Sequence, residues 1–238
     1  MKVCNFHIKD SFWINIIIVV LLIALLAIVV NRKPEAVFNT YVNTPVYKGD
    51  VSKPLIAFAC SVADGAEYIP PMLKILKDND IKVTFFVTGH WAKQHPDLLM
   101  QMVSEGHEIG NHGFNYDMPT QLSSEQNKKE ILDTERIIAD IIGIKTTLFS
   151  PPYGDYDRQV LRVAESLGYK TVICSIDTLD LKGDGYQTII ERALKNPGNG
   201  DIISIYPTRD TLVALPIMIR ELKSRGLNIC CVGDVISD

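Results

Sequence analysis

Two observations predict an α/β fold on a parallel sheet for residues 54–238. Short β-branched and aromatic runs alternate with segments of helical period along the whole stretch. Short polar segments stand at the carboxyl ends of predicted strands, where (β/α) barrels build their sites. Periodicity alone leaves a doubly wound open sheet available. The placement of the polar segments favours a distorted (β/α) barrel of about seven units.

In chain order, residues 54–60 form a first apolar run, 68–77 have helical spacing and 82–88 read as a strand. A helix is expected over 96–104 and a longer one over 124–142, which Ser123 and Gln126 open as a capping box. Further strands are expected over 147–149, 171–175, 201–206 and 227–232. Helices are expected between them over 157–167, 186–194 and 211–224, with Gly168 and Gly226 where helix stops belong.

Residues 12–30 carry no charge and one polar residue, Asn15. As a helix at ~1.5 Å per residue the stretch spans about 28 Å, close to the ~30 Å hydrocarbon core of a bilayer. It reads as a transmembrane segment. The sequence Ala27-Ile28-Val29-Val30-Asn31 is a poor cleavage site, which favours a retained anchor over a signal peptide. Residues 1–11 then form a short tail, 31–53 a linker and 54–238 the folded domain. Lys2 and Lys9 lie on one side of the segment and Arg32 and Lys33 on the other, so charge leaves its orientation open.

A net charge of -4, with no concentrated basic stripe, argues against a nucleic-acid partner. The 5 cysteines, Cys4, Cys60, Cys174, Cys230 and Cys231, lack C-x-x-C spacing; Cys60, Cys174, Cys230 and Cys231 fall at the ends of expected strands and are expected as buried free thiols.

The five polar segments are Cys60-Ser61-Val62-Ala63-Asp64-Gly65, Asn111-His112-Gly113-Phe114-Asn115-Tyr116, Phe149-Ser150-Pro151-Pro152-Tyr153-Gly154, Ser175-Ile176-Asp177-Thr178-Leu179-Asp180-Leu181 and Ile203-Ser204-Ile205-Tyr206-Pro207. Their order and spacing, together with Lys82 to Gly89 and Gly106 to His112, resemble the polysaccharide deacetylase (NodB-homology) family, which removes N-acetyl groups from chitin-like and peptidoglycan sugars. The resemblance covers the chain from about Lys53 onward.

That resemblance implies a distorted (β/α) barrel, a cell-wall glycan partner and an exported domain on a single-pass membrane anchor. It implies a divalent ion, usually zinc, held by an Asp and two His, with a second Asp as general base and a later His as acid. Asp64 and His112 match two metal ligands, but Tyr116 stands at the third position. Ala63 replaces the base, Ser150 the Arg that pairs with it, and Tyr206 the acid. Zinc or another divalent ion is therefore expected to bind weakly or not at all. Pro152, Tyr153, Gly154, Asp180 and Leu181 match substrate-side positions, Leu181 in place of the Trp that walls the acetyl pocket. Asp180 is placed to accept a hydrogen bond from the Tyr206 hydroxyl.

Each retained residue also has a plainer reading. Asp64 before Gly65 suits a turn, His112 an interior imidazole, and Asp177 and Asp180 loop anchors. Tyr116, Tyr153, Tyr206 and Phe114 suit either a packed core or an aromatic face for a sugar ring. His90, His95 and His107 fall outside the aligned positions. Three functions stay open: an impaired glycan-binding or scaffolding protein, a hydrolase with a rearranged site that recruits Asp117 beside Asp64 and His112, and a structural domain for a protein partner that the sequence does not name.

Overall fold

The computed structural model describes residues 15–23 and 44–237. The chain divides into two units, Met1–Tyr41 and Val42–Asp238. In the first, residues 15–23 form helix α1, with every side chain exposed. No helix among the described residues is long and apolar enough to cross a membrane. The anchor expected over 12–30 extends past α1 at both ends. Those flanks, the tail of residues 1–11 and the linker from 31 to 43 lie outside the described residues.

The second unit runs β1 (Leu55–Val62), α2 (Ile69–Asp78), β2 (Thr84–Val87), α3 (Gly89–Gln94), α4 (Pro96–Ser104), β3 (Glu108–Asn111), α5 (Ser124–Ile142) and β4 (Leu148–Phe149). It continues with α6 (Arg158–Ser166), β5 (Lys170–Thr171), β6 (Ile176–Asp177), α7 (Tyr186–Leu194), β7 (Ile202–Ile205), α8 (Arg209–Ser224), β8 (Asn228–Cys230) and α9 (Val232–Val235). The sheet order is β5-β4-β3-β2-β1-β7-β6, with β8 pairing β1, and the strand pairs are parallel.

The sheet curls into a half-barrel wrapped by helices. Its two end strands belong to one run of chain, residues 170–177. The start of this run pairs with β4 (Phe149↔Thr171) and its end with β7 (Asp177↔Ser204). The single strand expected over 171–175 is thus split in two, because the run changes partner half-way. Part of the expected linker packs here as well. Val46 takes the free backbone groups of the run, donating to Thr171 O at 2.8 Å and accepting from Ile173 N at 2.8 Å, and Lys48 pairs with Asp201.

Strand parity sorts the core. Ile56, Phe58, Cys60 and Val62 of β1 face the helices, with Phe85, Val87, Ile203 and Ile205 of the flanking strands. Ala57 and Ala59 face the other way, into a smaller interior cluster with Phe86, Leu148 and Ile202. Small residues on β1 leave room for Phe86, whose full burial is worth about 2–3 kcal/mol. The helices follow their expected signals. Ser123 accepts from Gln126 N at 3.3 Å while its own N–H donates to the Gln126 side chain at 2.9 Å, closing the capping box of α5. Cys60, Cys174, Cys230 and Cys231 are free thiols, and Cys4 lies outside the described residues.

Candidate functional site

The five polar segments follow β1, β3, β4, β6 and β7 at one end of the sheet, and the parity of the strands aims their side chains. On β1 the inward series Ala57, Ala59 continues to Ser61 and then Ala63. On β7 the inward Ile202 is followed by Ser204 and Tyr206. Gly65, in the left-handed region at φ 73°, turns the chain away from β1 so tightly that a Cβ there would sit 2.3 Å from the Pro207 carbonyl oxygen. The first and fifth segments therefore meet through backbone.

The loop after β3 is clamped from both sides. The Asn111 side chain donates to Ile131 O at 2.8 Å and accepts from Gly113 N at 2.9 Å. Glu130 of α5 accepts from Phe114 N at 2.7 Å and Asn115 N at 2.8 Å. His112, 2% exposed, donates its Nδ1–H to the Ser150 carbonyl at 2.6 Å, and its Nε2 is buried without a partner. Burial pushes its pKa down to about 4, against a smaller upward effect of the Ser150 hydrogen bond, so the ring is neutral near pH 7.

Two tyrosines in left-handed backbone, Tyr116 at φ 65° and Tyr153 at φ 60°, bring their rings to 4.6 Å, and the Tyr116 ring lies 5.1 Å from His112. Such backbone is unusual for a bulky residue and marks the pair as held by its surroundings. Burial raises the Tyr116 phenol, and Tyr153 adds to it, while a hydrogen bond with Tyr206 opposes them. Burial raises Tyr206 further, with Tyr116 and Asp177 acting the same way. Both phenols are neutral near pH 7.

Asp180 is 3% exposed, and its Oδ2 accepts from Tyr206 N at 3.0 Å and from the Thr211 hydroxyl at 2.6 Å. The partner of Asp180 is thus the Tyr206 backbone rather than the hydroxyl expected from sequence: α8 presents Thr211 at the other side of the carboxylate and locks it in place. Burial raises the Asp180 pKa, against the hydrogen bonds from Thr178, Thr211 and Tyr206. Asp177 is exposed and accepts from Leu179 N at 2.9 Å.

Two adjoining hollows result. The larger, about 530 Å³, is lined by Ala63, Asp64, Glu67, Tyr116 and Leu181 among others. The smaller, about 240 Å³, is lined by His112, Ser150, Tyr153, Gly154, Cys174 and Asp177 among others. Ser61 and Tyr206 border both. Pro152 and Asp117 instead line a separate narrow crevice. Pro152 opens the turn that carries Tyr153, and Asp117 is not brought to Asp64 or His112. Ser61, Cys174 and Ser204 were not expected as site residues; inward strand parity is the signal that finds Ser61 and Ser204.

A family model described as polysaccharide deacetylase matches residues 50–172. A peptidoglycan-N-acetylglucosamine deacetylase of Bacillus cereus is 31% identical over 186 residues, covering 75% of this chain and 87% of that protein. The chain belongs to the polysaccharide deacetylase family. The uncharacterized protein YlxY of Bacillus subtilis (strain 168) is 31% identical to this deacetylase-family chain over 206 residues, covering 87% of it but 65% of YlxY. Among solved structures, wild-type BA3943, a CE4 family pseudoenzyme from Bacillus anthracis, superposes with a TM-score of 0.79 at 30% identity, covering 82% of this chain and 69% of that one. A BA3943 mutant with restored enzymatic activity matches with the same TM-score of 0.79.

In this member of the polysaccharide deacetylase family the donor set does not fit the three-ligand ion centre that the family implies. His112 offers a buried unpaired Nε2, but Asp64 is exposed in the neighbouring hollow, with Oδ1 accepting from Gly65 N at 2.9 Å. The third position holds Tyr116, whose phenol is driven away from the phenolate that would bind a cation. Among the described residues no three His, Cys, Asp or Glu side chains converge.

Proposed function

We propose that this polysaccharide deacetylase-family chain is a catalytically impaired protein of the bacterial cell envelope, tethered to the membrane by its N-terminal segment, that retains binding of a peptidoglycan-like glycan. The observation that carries the reading is the content of the two hollows: the positions of base, partner cation and acid hold Ala63, Ser150 and Tyr206. A methyl group moves no proton, and a neutral phenol with its pKa raised is a poor acid for a leaving amine.

A site stripped of its chemistry nevertheless keeps its walls. The exposed Tyr153, backed by Tyr116, gives a flat aromatic face at the mouth of a hydroxyl-lined hollow, a combination that suits a sugar ring. The likeness to a CE4 pseudoenzyme and to peptidoglycan deacetylases supports the same reading. Binding of peptidoglycan fragments by the full chain, lost in Tyr153→Ala, with no acetate released from them, is the expected result. Acetate release at ordinary enzymatic rates overturns the impairment; absence of binding overturns the glycan role. The rearranged hydrolase with Asp117 is not supported, since Asp117 lines the separate crevice.

A further inference from the structure

We propose that the double hollow selects the de-N-acetylated sugar, recognising a primary ammonium where the acetamide of the parent glycan would stand. The inference rests on the glycan-binding reading and names the form of glycan bound.

The charge lining the hollows points one way. Asp64 and Glu67 border the larger and Asp177 the smaller, and among the described residues no Lys or Arg lines either. Ser150 stands where the family pattern has a cation, and the incomplete donor set removes a metal ion as a second source of positive charge. One carboxylate, the base at position 63, has gone with two sources of positive charge, and Asp64, Glu67 and Asp177 remain. Such a surface repels anions and attracts an ammonium.

The buried imidazole adds an independent observation. His112 is 2% exposed, and its Nδ1–H is committed to Ser150 O, which leaves the unpaired Nε2 as the acceptor. An unmet buried acceptor is unfavourable, and a ligand donor relieves it. Asp64 and Asp177 each use Oδ1 on a backbone N–H, at 2.9 Å in both cases, which leaves Oδ2 of each as a further acceptor. An ammonium brings three donors and no acceptor. An acetamide brings one donor and a carbonyl that finds no fixed cation here. A lysine-like amine shares this chemistry; the exposed aromatic face beside the hollow favours an amino sugar.

The test is calorimetric titration of the full chain in detergent with β-1,4-linked glucosamine trisaccharide, its fully N-acetylated counterpart and N-α-acetyl-lysine. The glucosamine trisaccharide is expected to bind at least ten-fold more tightly than either. Asp177→Asn is expected to remove that preference and Glu191→Gln, on α7, to keep it, which separates the site from the attraction of a chain of net charge -4. Equal or tighter binding of the N-acetylated sugar overturns the inference and leaves the glycan reading standing. Equal binding of acetyl-lysine overturns the sugar assignment. Binding of neither sugar overturns both readings, and loss of preference in both variants reduces the effect to bulk charge.

Discussion

The Nδ1–H of His112 donates to the backbone carbonyl of Ser150 at 2.6 Å, across the ends of β3 and β4, and leaves Nε2 buried and unpaired. This one bond fixes the tautomer, orients the ring into the smaller hollow and ties the second polar segment to the third. Burial of the same ring, which outweighs the upward effect of this bond, sets a pH dependence. The folded pKa of about 4 lies below the ordinary 6.5, so the unfolded chain binds the extra proton between those values and stability falls as pH drops through that window. His107, with its pKa pushed to about 4 by burial and by Lys82, acts with the same sign. Asp180, raised by burial, acts with the opposite sign, since its protonated form is favoured in the fold. From pH 7 to pH 5 the His112 share is on the order of 2 kcal/mol. Urea titrations at the two pH values are expected to show His112→Gln losing less stability on acidification than the wild type. An unchanged difference would mean that His112 is not held neutral.

Replacing Gly65 by Ala should damage the fold and the site together. The substitution puts a side chain at φ 73° and a Cβ 2.3 Å from Pro207 O, so the backbone of the first or the fifth segment has to move. A loss of at least about 2 kcal/mol is expected from the strain and the contact combined. Thermal melts measure it, and a stability equal to wild type would show that the two segments are not locked to one another.

Zinc should bind weakly. Sites with structural or catalytic zinc use three or four protein ligands, whereas His112 and Asp64 face adjoining hollows and Tyr116 is a neutral phenol. Calorimetry with zinc is expected to give a dissociation constant of about micromolar or weaker. Stoichiometric nanomolar binding that disappears in His112→Ala would require a ligand arrangement other than the one described.

Introducing the base alone should be harmful rather than helpful. In Ala63→Asp a carboxylate enters the hollow already bordered by Asp64 and Glu67, with Ser150 in place of a cationic partner. An unpaired charge there is expected to cost about 1–3 kcal/mol and to restore no turnover, because groups that act as a unit are strongly non-additive. Melting temperatures and acetate assays on the single variant check both halves, and activity in it would show that the rest of the machinery is already in place.

How far the sequence carries depends on how local the signal is. Residues 96–104, 124–142 and 186–194 are helices at the bounds their periodicity and caps imply, because those signals lie within each segment. The split of 170–177 between β4 and β7 was not legible, since it depends on which strands lie on either side. Nor was β3, whose Glu108-Ile109-Gly110-Asn111 carries one apolar side chain; its Gly110 leaves space for Phe86, whose ring would lie 2.4 Å from a Cβ there. The expected barrel is a curled half-barrel for the same reason. At the site, spacing found the loops and the missing groups. It did not find that Asp64 and His112 line different hollows, that Pro152 and Asp117 line a separate crevice, or that Asp180 takes the Tyr206 N–H, since each depends on how neighbouring loops pack.

The central claim is that hydrolysis has been lost through the groups at positions 63, 116, 150 and 206 together. Acetate release from N-acetylated peptidoglycan, measured with the full chain and with the Ala63→Asp, Tyr116→His, Ser150→Arg, Tyr206→His quadruple variant side by side in added zinc, tests it most directly. Losing both base and acid is expected to lower the rate by several orders of magnitude, about 10² to 10⁴ for each. The account predicts no release above background from the wild type and measurable turnover from the quadruple variant; turnover by the wild type at about 1 per second or faster would contradict it.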